Sequence, residues 1–381
     1  MQYRIRYMTG GESHGPAVIA MIRGLPAGFH LDVEDLNYQL WRRQQGYGRG
    51  GRMKIEKDRV AVLSGLRGSM TLGSPLTLML QNRDFLNWQD KMDPVSANME
   101  EKVQVPRPGH ADHAGMIKYG FDDLRNVLER ASARETAARI LPGAVCRQYL
   151  KALDIRIYSH VLRIGNVCAD EAAGEEALKK ADDTGSLRCL DPAAAEKMRK
   201  EIDTAKQQGD SLGGVFRVCV YGLPAGLGSY VHWDDRMTSM ISAEIMGIQA
   251  LRGIEFGKGF SGAGIPGSRY HDAFAVKGGR VERSSNTAGG IEGGMTNGQP
   301  LIFSAFMKPI PTLTTPLKSY HIENREERTA HRERSDICAV PAASVVAENV
   351  TAVPLLNAVL SRFGGDSWEV LKERVKGNAE G

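Results

Sequence analysis

A five-residue turn, Gly24-Leu-Pro-Ala-Gly28, occurs a second time as Gly222-Leu-Pro-Ala-Gly226, and each copy follows a β-type apolar run, VIAMIR before the first and FRVCVY before the second. Downstream, Gly65-x-x-Gly68-x-Met70-Thr71-x-Gly73-x-Pro75-Leu76 returns as Gly290-x-x-Gly293-x-Met295-Thr296-x-Gly298-x-Pro300-Leu301. Between these elements each half carries a helix signal. Residues 33–43 follow Asp32 as an N-cap, and residues 235–251 open near Asp234 with Met240, Ile241, Ile245, Ile248 and Leu251 at helical spacing. Three elements therefore recur in one order, joined by turns whose geometry restricts residue choice. Two copies are too few for a solenoid, and the pattern fits two related β-α-β units packed as one pseudo-symmetric body, over about residues 15–80 and 213–305.

The rest of the chain adds helices to this body. Residues 129–150 read as a helix interrupted near Pro142 and Gly143. Residues 169–208 are rich in Ala, Lys, Glu and Asp and read as a peripheral helical excursion, with a helix from Pro192 to Gln208. An apolar helical pattern fills 341–361 after Pro341, and the last, polar residues are expected to fray. No low-complexity linker divides the chain, so residues 1–381 read as a single composite α+β domain.

Composition excludes several classes. A 42% hydrophobic and 25% charged chain is neither disordered nor fibrous. No apolar run approaches the roughly eighteen residues of a membrane helix, and the opening residues lack a secretory signal's apolar core and cleavage site, so a cytoplasmic chain without membrane contact is expected. Cys146, Cys168, Cys189, Cys219 and Cys338 are scattered without a C-x-x-C pair and read as buried thiols, with no metal site. A net charge of +4 does not by itself imply nucleic acid. Its distribution says more: residues 36–55 hold Arg42, Arg43, Arg49, Arg52 and Lys54 beside Gly46, Gly48, Gly50 and Gly51, with no carboxylate among them. Cations on glycine-rich backbone point to an anionic ligand.

Individual motifs carry different weights. Gly11-Glu-Ser13-His14-Gly15 matches a serine nucleophile elbow, but only ten residues precede it, too few for the earlier strand and oxyanion loop an elbow needs. His14 remains as a titratable group on a glycine-flanked loop. Gly257-Lys-Gly259-Phe-Ser-Gly262 matches the dinucleotide fingerprint, yet the following Ala-Gly-Ile-Pro-Gly cannot open the required helix. Arg107-Pro-Gly-His110-Ala-Asp112-His113 puts an arginine, two histidines and a carboxylate on one turn. General acid–base work beside an anion fits it better than zinc, because Pro108-Gly109 breaks the helical spacing two histidine ligands would use. Arg130 and Arg134 stand four apart, as if on one helical face with Ser132. Arg325 to Asp336, REERTAHRERSD, has the look of a solvated charge run, although Asp336 heads a stretch that is buried at once; Lys308-Pro-Ile-Pro-Thr312 is a rigid turn with a cation.

In their order, Gly-Glu-Ser-His-Gly, Arg42-Arg43, Arg49, Arg107-Pro-Gly-His-Ala-Asp112, Arg130-x-Ser132-x-Arg134-Glu-Thr136, Gly289-Gly-Ile-x-Gly-Gly294, Lys308-Pro and Arg334-x-Asp336, these blocks resemble the chorismate synthase family from about residue 5 to 365. The resemblance implies a lyase that removes phosphate from 5-enolpyruvylshikimate 3-phosphate by anti-1,4-elimination, giving chorismate, with reduced FMN required and no net redox change. It places Arg43, Arg49, Arg107 and Arg134 on the substrate's anions together with Ser13. His14 then protonates or hydrogen-bonds the departing phosphate, His110 stands at the flavin N1 and C2-carbonyl edge, and Asp336 assists proton removal near N5. FMN contacts fall by the same resemblance on Arg130, Ala131, Ser132, Gln249, Ala250, Gly293, Lys308, Pro309, Ile310, Pro311, Thr312 and Arg334.

The implied fold is a β-α-β sandwich, helical layers between two four-stranded antiparallel sheets, internally duplicated, and the implied assembly a homotetramer. NADPH enters only indirectly as reductant, with the chain's length favouring an external flavin reductase. Gln44-Gln45-Gly46 and Ala131 depart from the family's common Arg-Pro-Gly and serine, which puts local contacts in doubt. Two other readings compete: a binding protein for polyanions or RNA using the Gly-Arg stretch, and a serine hydrolase.

Overall fold

The computed structural model describes residues 4–50, 56–170, 174–333 and 335–379. Arg52, Lys54 and Arg334 lie outside the described residues. The first half runs β1 (Arg6–Gly10), β2 (Ala17–Arg23), α1 (Val33–Gln44), β3 (Val60–Ser64), β4 (Leu66–Arg67), β5 (Met70–Thr71), β6 (Leu76–Gln81) and α2 (Gln89–Met92). Three helices follow, α3 (Asp112–Tyr119), α4 (Arg125–Ala131) and α5 (Glu135–Lys151), then β7 (Arg156–Ile164), β8 (Val167–Cys168), α6 (Glu175–Leu178) and α7 (Pro192–Gln208). The second half runs β9 (Gly214–Tyr221), α8 (Met237–Met246), β10 (Leu251–Phe256), α9 (Gly267–Tyr270), β11 (Phe274–Lys277), β12 (Arg280–Arg283), β13 (Ile291–Glu292), β14 (Met295–Thr296) and β15 (Leu301–Met307). A hairpin of β16 (Lys318–Tyr320) and β17 (Glu327–Thr329) leads to α10 (Val340–Val350), α11 (Ala352–Phe363) and α12 (Trp368–Ala379).

Among the described residues the two larger sheets are antiparallel, one of four strands in the order β1-β2-β6-β3 and one of five in the order β10-β15-β9-β7-β8, and four two-stranded ribbons accompany them. The fifth strand, β8, is two residues long and extends the edge beyond β7. Alternation along β2 and β6 sends Val18, Ala20, Ile22, Leu76, Leu78 and Leu80 inward. Helix α5 packs against β1, β2 and β6 and also against α10 and α11, while α10 lies on β7 and β9. Inward residues of both sheets join one apolar core with these helices.

The repeated sequence elements make matching contacts. Gly24 and Gly222 have φ of 85° and 81°, and a Cβ would stand 1.9 Å from the Arg4 carbonyl oxygen in one and 2.2 Å from that of Asp154 in the other. Thr71 Oγ1 donates to the Pro26 carbonyl at 2.8 Å and accepts from Phe29 N at 2.9 Å. Thr296 Oγ1 likewise donates to the Pro224 carbonyl at 2.7 Å and accepts from Leu227 N at 2.9 Å.

Several expectations are corrected. The helix expected over 129–150 breaks at Ser132–Arg134, where Ser132 turns to extended backbone, and not at Pro142, which sits inside an unbroken α5. A Cβ at the neighbouring Gly143 would fall 2.4 Å from the Asn349 backbone, so this part of α5 is pinned where it crosses α10. Arg130 consequently belongs to α4, whereas Arg134 stands at the N-cap of α5. Four cysteines are buried, but Cys168 is exposed on the edge strand. The chain's end does not fray over 368–379: Trp368 packs edge-on against Phe29 and Tyr149, and its N–H donates to the Ala27 carbonyl at 2.8 Å. Residues 340–363 are long and apolar enough to cross a membrane, yet their most apolar window is wholly buried in the core.

One buried charge group joins these layers. Glu348, on α10 and fully buried, accepts from Arg42 Nη1 at 2.8 Å and Arg188 Nη2 at 3.2 Å, and pairs with Arg147 Nη2 at 2.8 Å; the Ser159 hydroxyl of β7 also donates to it at 2.8 Å. Burial pushes the Glu348 carboxyl up, but Arg42, Arg147 and Arg188 outweigh it and bring it down to about 2. A depressed carboxyl contributes stability above its unfolded value of 4.5 and loses it as pH falls towards about 2. Glu348→Gln should therefore lower unfolding free energy at neutral pH by about 3–5 kcal/mol, the usual cost of breaking a buried pair. In urea titrations the difference should shrink below pH 4.5; a difference constant down to pH 3 would contradict the assignment.

Candidate active site

A cavity of about 500 Å³ opens between the two halves, within the usual range for small-molecule sites. Its walls come from seven separated stretches: the β1–β2 loop, the end of α1 with Arg49 and Gly50, the turns before α3 and α5, the α8–β10 and post-β15 loops, and Glu333 with Ser335 to Val346. Among the expected site residues it gathers Ser13, His14, Arg43, Arg49, Arg107, His110, Ala131, Ser132, Arg134, Gln249, Ala250, Lys308, Ile310, Pro311, Thr312 and Asp336. Arg130 and Pro309 are absent from its lining, and Gly293 lines a second cleft beside Phe256, Tyr270 and Phe274. Arg130 instead donates to Thr9 Oγ1 at 2.8 Å, bracing the β1–β2 loop.

Each cation in the cavity is held from behind by a group that the sequence separates widely from it. Arg43, the last basic residue of α1, donates through Nε to Thr136 Oγ1 and through Nη2 to the Ala133 carbonyl, both at 2.9 Å. Burial drives its guanidinium down; Asp58 opposes this, Arg49 and Arg134 add to it, and the result is about 9. Arg134 donates through Nη1 to both Asp58 oxygens, at 2.7 and 2.9 Å, and through Nε to Asn82 Oδ1 at 2.9 Å. Arg43 Nη1 and Arg134 Nη2 are buried donors without a hydrogen bond among the described residues, with Asp58 Oδ2 3.9 Å from the first and Glu56 Oε2 4.0 Å from the second. Such donors fit an anion.

Arg107, His110 and Asp112 form a closed triangle on the turn before α3. Asp112 Oδ2 accepts from Arg107 Nε at 2.8 Å, and Asp112 Oδ1 lies 2.5 Å from His110 Nδ1. Arg107 Nη1 reaches Thr312 Oγ1 at 3.1 Å. Burial raises the Asp112 carboxyl, but His110 and Arg107 overcome it and hold it well below the usual carboxylate range. Asp112 thus fixes both neighbours, and Arg107 Nη2 closes the triangle 3.0 Å from His110 Nδ1.

His14 is anchored in the same way. Its Nδ1 lies 2.9 Å from Glu129 Oε1, its backbone N–H donates to Glu129 Oε2 at 2.8 Å, and its ring stacks on Trp88 at 4.1 Å. Ser13 Oγ lies 3.0 Å from Ser132 Oγ. Opposite, Arg49 Nη1 pairs with Asp336 Oδ2 at 2.7 Å, and Gly50 N–H donates to Asp336 Oδ1 at 2.6 Å. Lys308 Nζ donates to the Gly109 carbonyl, joining the post-β15 loop to the His110 turn. Ala250 is held at φ 66°, a strained value for a residue with a Cβ, and its carbonyl accepts from Lys308 N at 3.0 Å. Gln249 Oε1 is buried without a donor among the described residues, a free acceptor at the cavity wall.

This geometry removes the competing readings. The Gly11–Gly15 loop joins strand β1 to strand β2, whereas a nucleophile elbow turns from strand to helix. Arg42 and Arg43 are buried, so they cannot present the exposed basic stripe a polyanion needs. Gly259–Gly264 form a short 3-10 turn and not a dinucleotide-binding helix. Sequence reasoning missed Glu129, Asp58, Asn82 and Trp88, which carry no motif, and Glu333, which lines the cavity from a run that reads as solvated. Arg83 N–H and Asp84 N–H both donate to Glu56, which places that acid too behind the site.

Among the described residues, five cations against two carboxylates, with histidines anchored at two corners, define an enzyme that takes a small, multiply anionic substrate. The family model for chorismate synthase matches residues 5–360. The chorismate synthase of Syntrophotalea carbinolica is 49% identical over 380 residues, covering 99% of this chain and 98% of the relative; that of Carboxydothermus hydrogenoformans is 51% identical over 375 residues, covering 97% of each. A solved chorismate synthase structure superposes with a TM-score of 0.80 at 39% identity, over 99% of this chain and 97% of the other. The chain belongs to the chorismate synthase family, and it is a carbon–oxygen lyase.

Glu129 is the group that most directly fixes a corner of this site. Glu129→Gln should leave the fold and substrate KM nearly unchanged while lowering turnover by about 10²-fold, the lower end of a positioned general acid's contribution. Turnover within twofold of the parent would remove the His14–Glu129 pair from the chemistry.

Proposed function

We propose that this cavity carries out the anti-1,4-elimination of phosphate from 5-enolpyruvylshikimate 3-phosphate to give chorismate. The observation that carries the reading is the set of guanidiniums from Arg43, Arg49, Arg107 and Arg134 converging on one cavity, Arg43 and Arg134 each with a buried donor lacking a hydrogen bond among the described residues. The substrate carries one phosphate and two carboxylates, which planar guanidinium forks suit. His14, held by Glu129 through Nδ1, offers Nε2 to the departing phosphate oxygen. Asp336, oriented by Arg49 and Gly50, assists removal of the ring proton on the opposite side.

Reduced FMN, which we assign to the same cavity, supplies electron density to the allylic system as phosphate leaves. The residues fit such a group: Ala131, Ser132, Gln249, Ala250, Lys308, Ile310, Pro311 and Thr312 form a wall with a free buried acceptor at Gln249 Oε1, and His110 lines the same cavity. Arg130 and Pro309 would act from behind this wall. Gly293, in its separate cleft, would join it only across a subunit contact, and Arg334 completes the proposed set.

The same reading extends to the rest of the chain. We take it as a cytoplasmic homotetramer with an internally duplicated sandwich fold, residues 1–381 forming one composite domain, supplied with reduced flavin by an external NADPH-dependent reductase. Matching threonine-centred turns in the two halves support the duplication. Met8, Ile19, Met21 and Leu63, exposed on the outer face of the four-stranded sheet, support burial of that face against another copy.

Anaerobic incubation with photoreduced FMN and 5-enolpyruvylshikimate 3-phosphate should give equimolar chorismate and phosphate, and oxidised FMN neither. Under the same conditions His110→Ala should retain FMN binding and lose about 10² to 10⁴-fold in turnover. No phosphate release from folded, reduced-FMN-supplied protein would overturn the assignment; wild-type turnover in His110→Ala would remove that residue from the mechanism.

A further inference from the structure

His14 is enclosed on two sides. Its Nδ1 edge is closed by Glu129 and one ring face by Trp88, and its side chain is only 10% exposed. If His14 gives a proton to each departing phosphate, as the proposed function requires, it has to regain one through the cavity before the next turnover. Two carboxylates line that cavity, and they differ. Asp336 is committed to Arg49 and Gly50 N–H. Glu333 is partnered by a titratable group, accepting from His331 Nε2 at 3.0 Å, and His331 is the more solvent-open of the two, at 32% side-chain exposure against 22%.

We propose that Glu333 and His331 form a proton relay from solvent to His14. The charged groups acting on Glu333 are His331 from its own segment, His14 from the β1–β2 loop and Arg107 from the turn before α3; together they outweigh burial and keep its carboxyl low. His14 and Glu333 line the same cavity, and His331 hydrogen-bonds Glu333 from the more exposed position. The steps balance. His14 Nε2–H is given to the phosphate oxygen as the carbon–oxygen bond breaks and its electron pair stays on oxygen. Glu333, a carboxylate at rest, takes up a proton only in passing, hands it to Nε2 and becomes a carboxylate again. His331 reprotonates Glu333 and takes its own proton from water. No oxidant or reductant enters this relay.

The inference rests on the proposed elimination, and the test separates the two. In multiple-turnover assays with reduced FMN, Glu333→Gln and His331→Ala should each lower kcat by about tenfold or more, with KM within about twofold, while the first-turnover burst of phosphate persists, because the relay acts only between turnovers. Added imidazole should restore His331→Ala and leave Glu333→Gln slow, a rescue that a merely structural role would not give. Unchanged kcat in Glu333→Gln, loss of the burst along with steady-state turnover, or a raised KM in place of a lowered kcat would overturn the relay. Absence of phosphate release from the parent protein would instead overturn the elimination itself.

Discussion

A single carboxylate with no solvent exposure, Glu348, holds three guanidiniums from α1, α5 and the segment before α7, and most of the architecture can be traced to that contact. Removing two charges from water is expensive, so a buried group of this kind adds little net stability compared with apolar packing. What it adds is position. Arg42 fixes the end of α1, and the next residue, Arg43, is thereby aimed at the cavity. Glu348 also fixes α10, whose opposite face supplies Ala342, Ala343 and Val346 to the cavity wall. One ionic group inside the core thus sets both a cation of the site and the surface facing it.

The same arrangement recurs closer to the ligand. Asp58 behind Arg134, Asp112 behind Arg107 and His110, and Glu129 behind His14 each anchor a working side chain from the protein side. Their charges partly neutralise the arginines, which lets several cations stand together without expelling one another. The remaining positive excess is left for the substrate. A site built this way has its donors oriented before binding, so little reorganisation is needed when charge develops on the leaving group.

Much of this organisation could be read from residues alone, for local reasons. The Asp32 N-cap, the Pro192–Gln208 helix and both Gly-Leu-Pro-Ala-Gly turns follow from short-range rules of capping, proline placement and glycine geometry, and they stand where expected. Motif residues such as Arg107, His110 and Asp336 also meet in one cavity. What escaped reading is long-range. Nothing near Glu348 or Glu129 in the chain marks them as buried, because their partners lie 306 and 115 residues away. The run REERTAHRERSD has the composition of a solvated surface, yet Glu333 and Asp336 turn inward because the cavity's cations receive them. Pro142 misled for a related reason: tertiary packing of α5 against α10 overrode its local tendency to break a helix.

The central claim is that these converging guanidiniums receive the substrate's phosphate beside His14. A crystal structure of the chain with oxidised FMN and 5-enolpyruvylshikimate 3-phosphate tests it most directly. The phosphate oxygens should lie within hydrogen-bond distance of His14 Nε2 and of at least one of the Arg43, Arg49, Arg107 and Arg134 guanidiniums, with the flavin against Gln249–Ala250. Substrate bound in the cleft beside Phe256 and Gly293, or in the cavity with its phosphate turned away from His14, would contradict it.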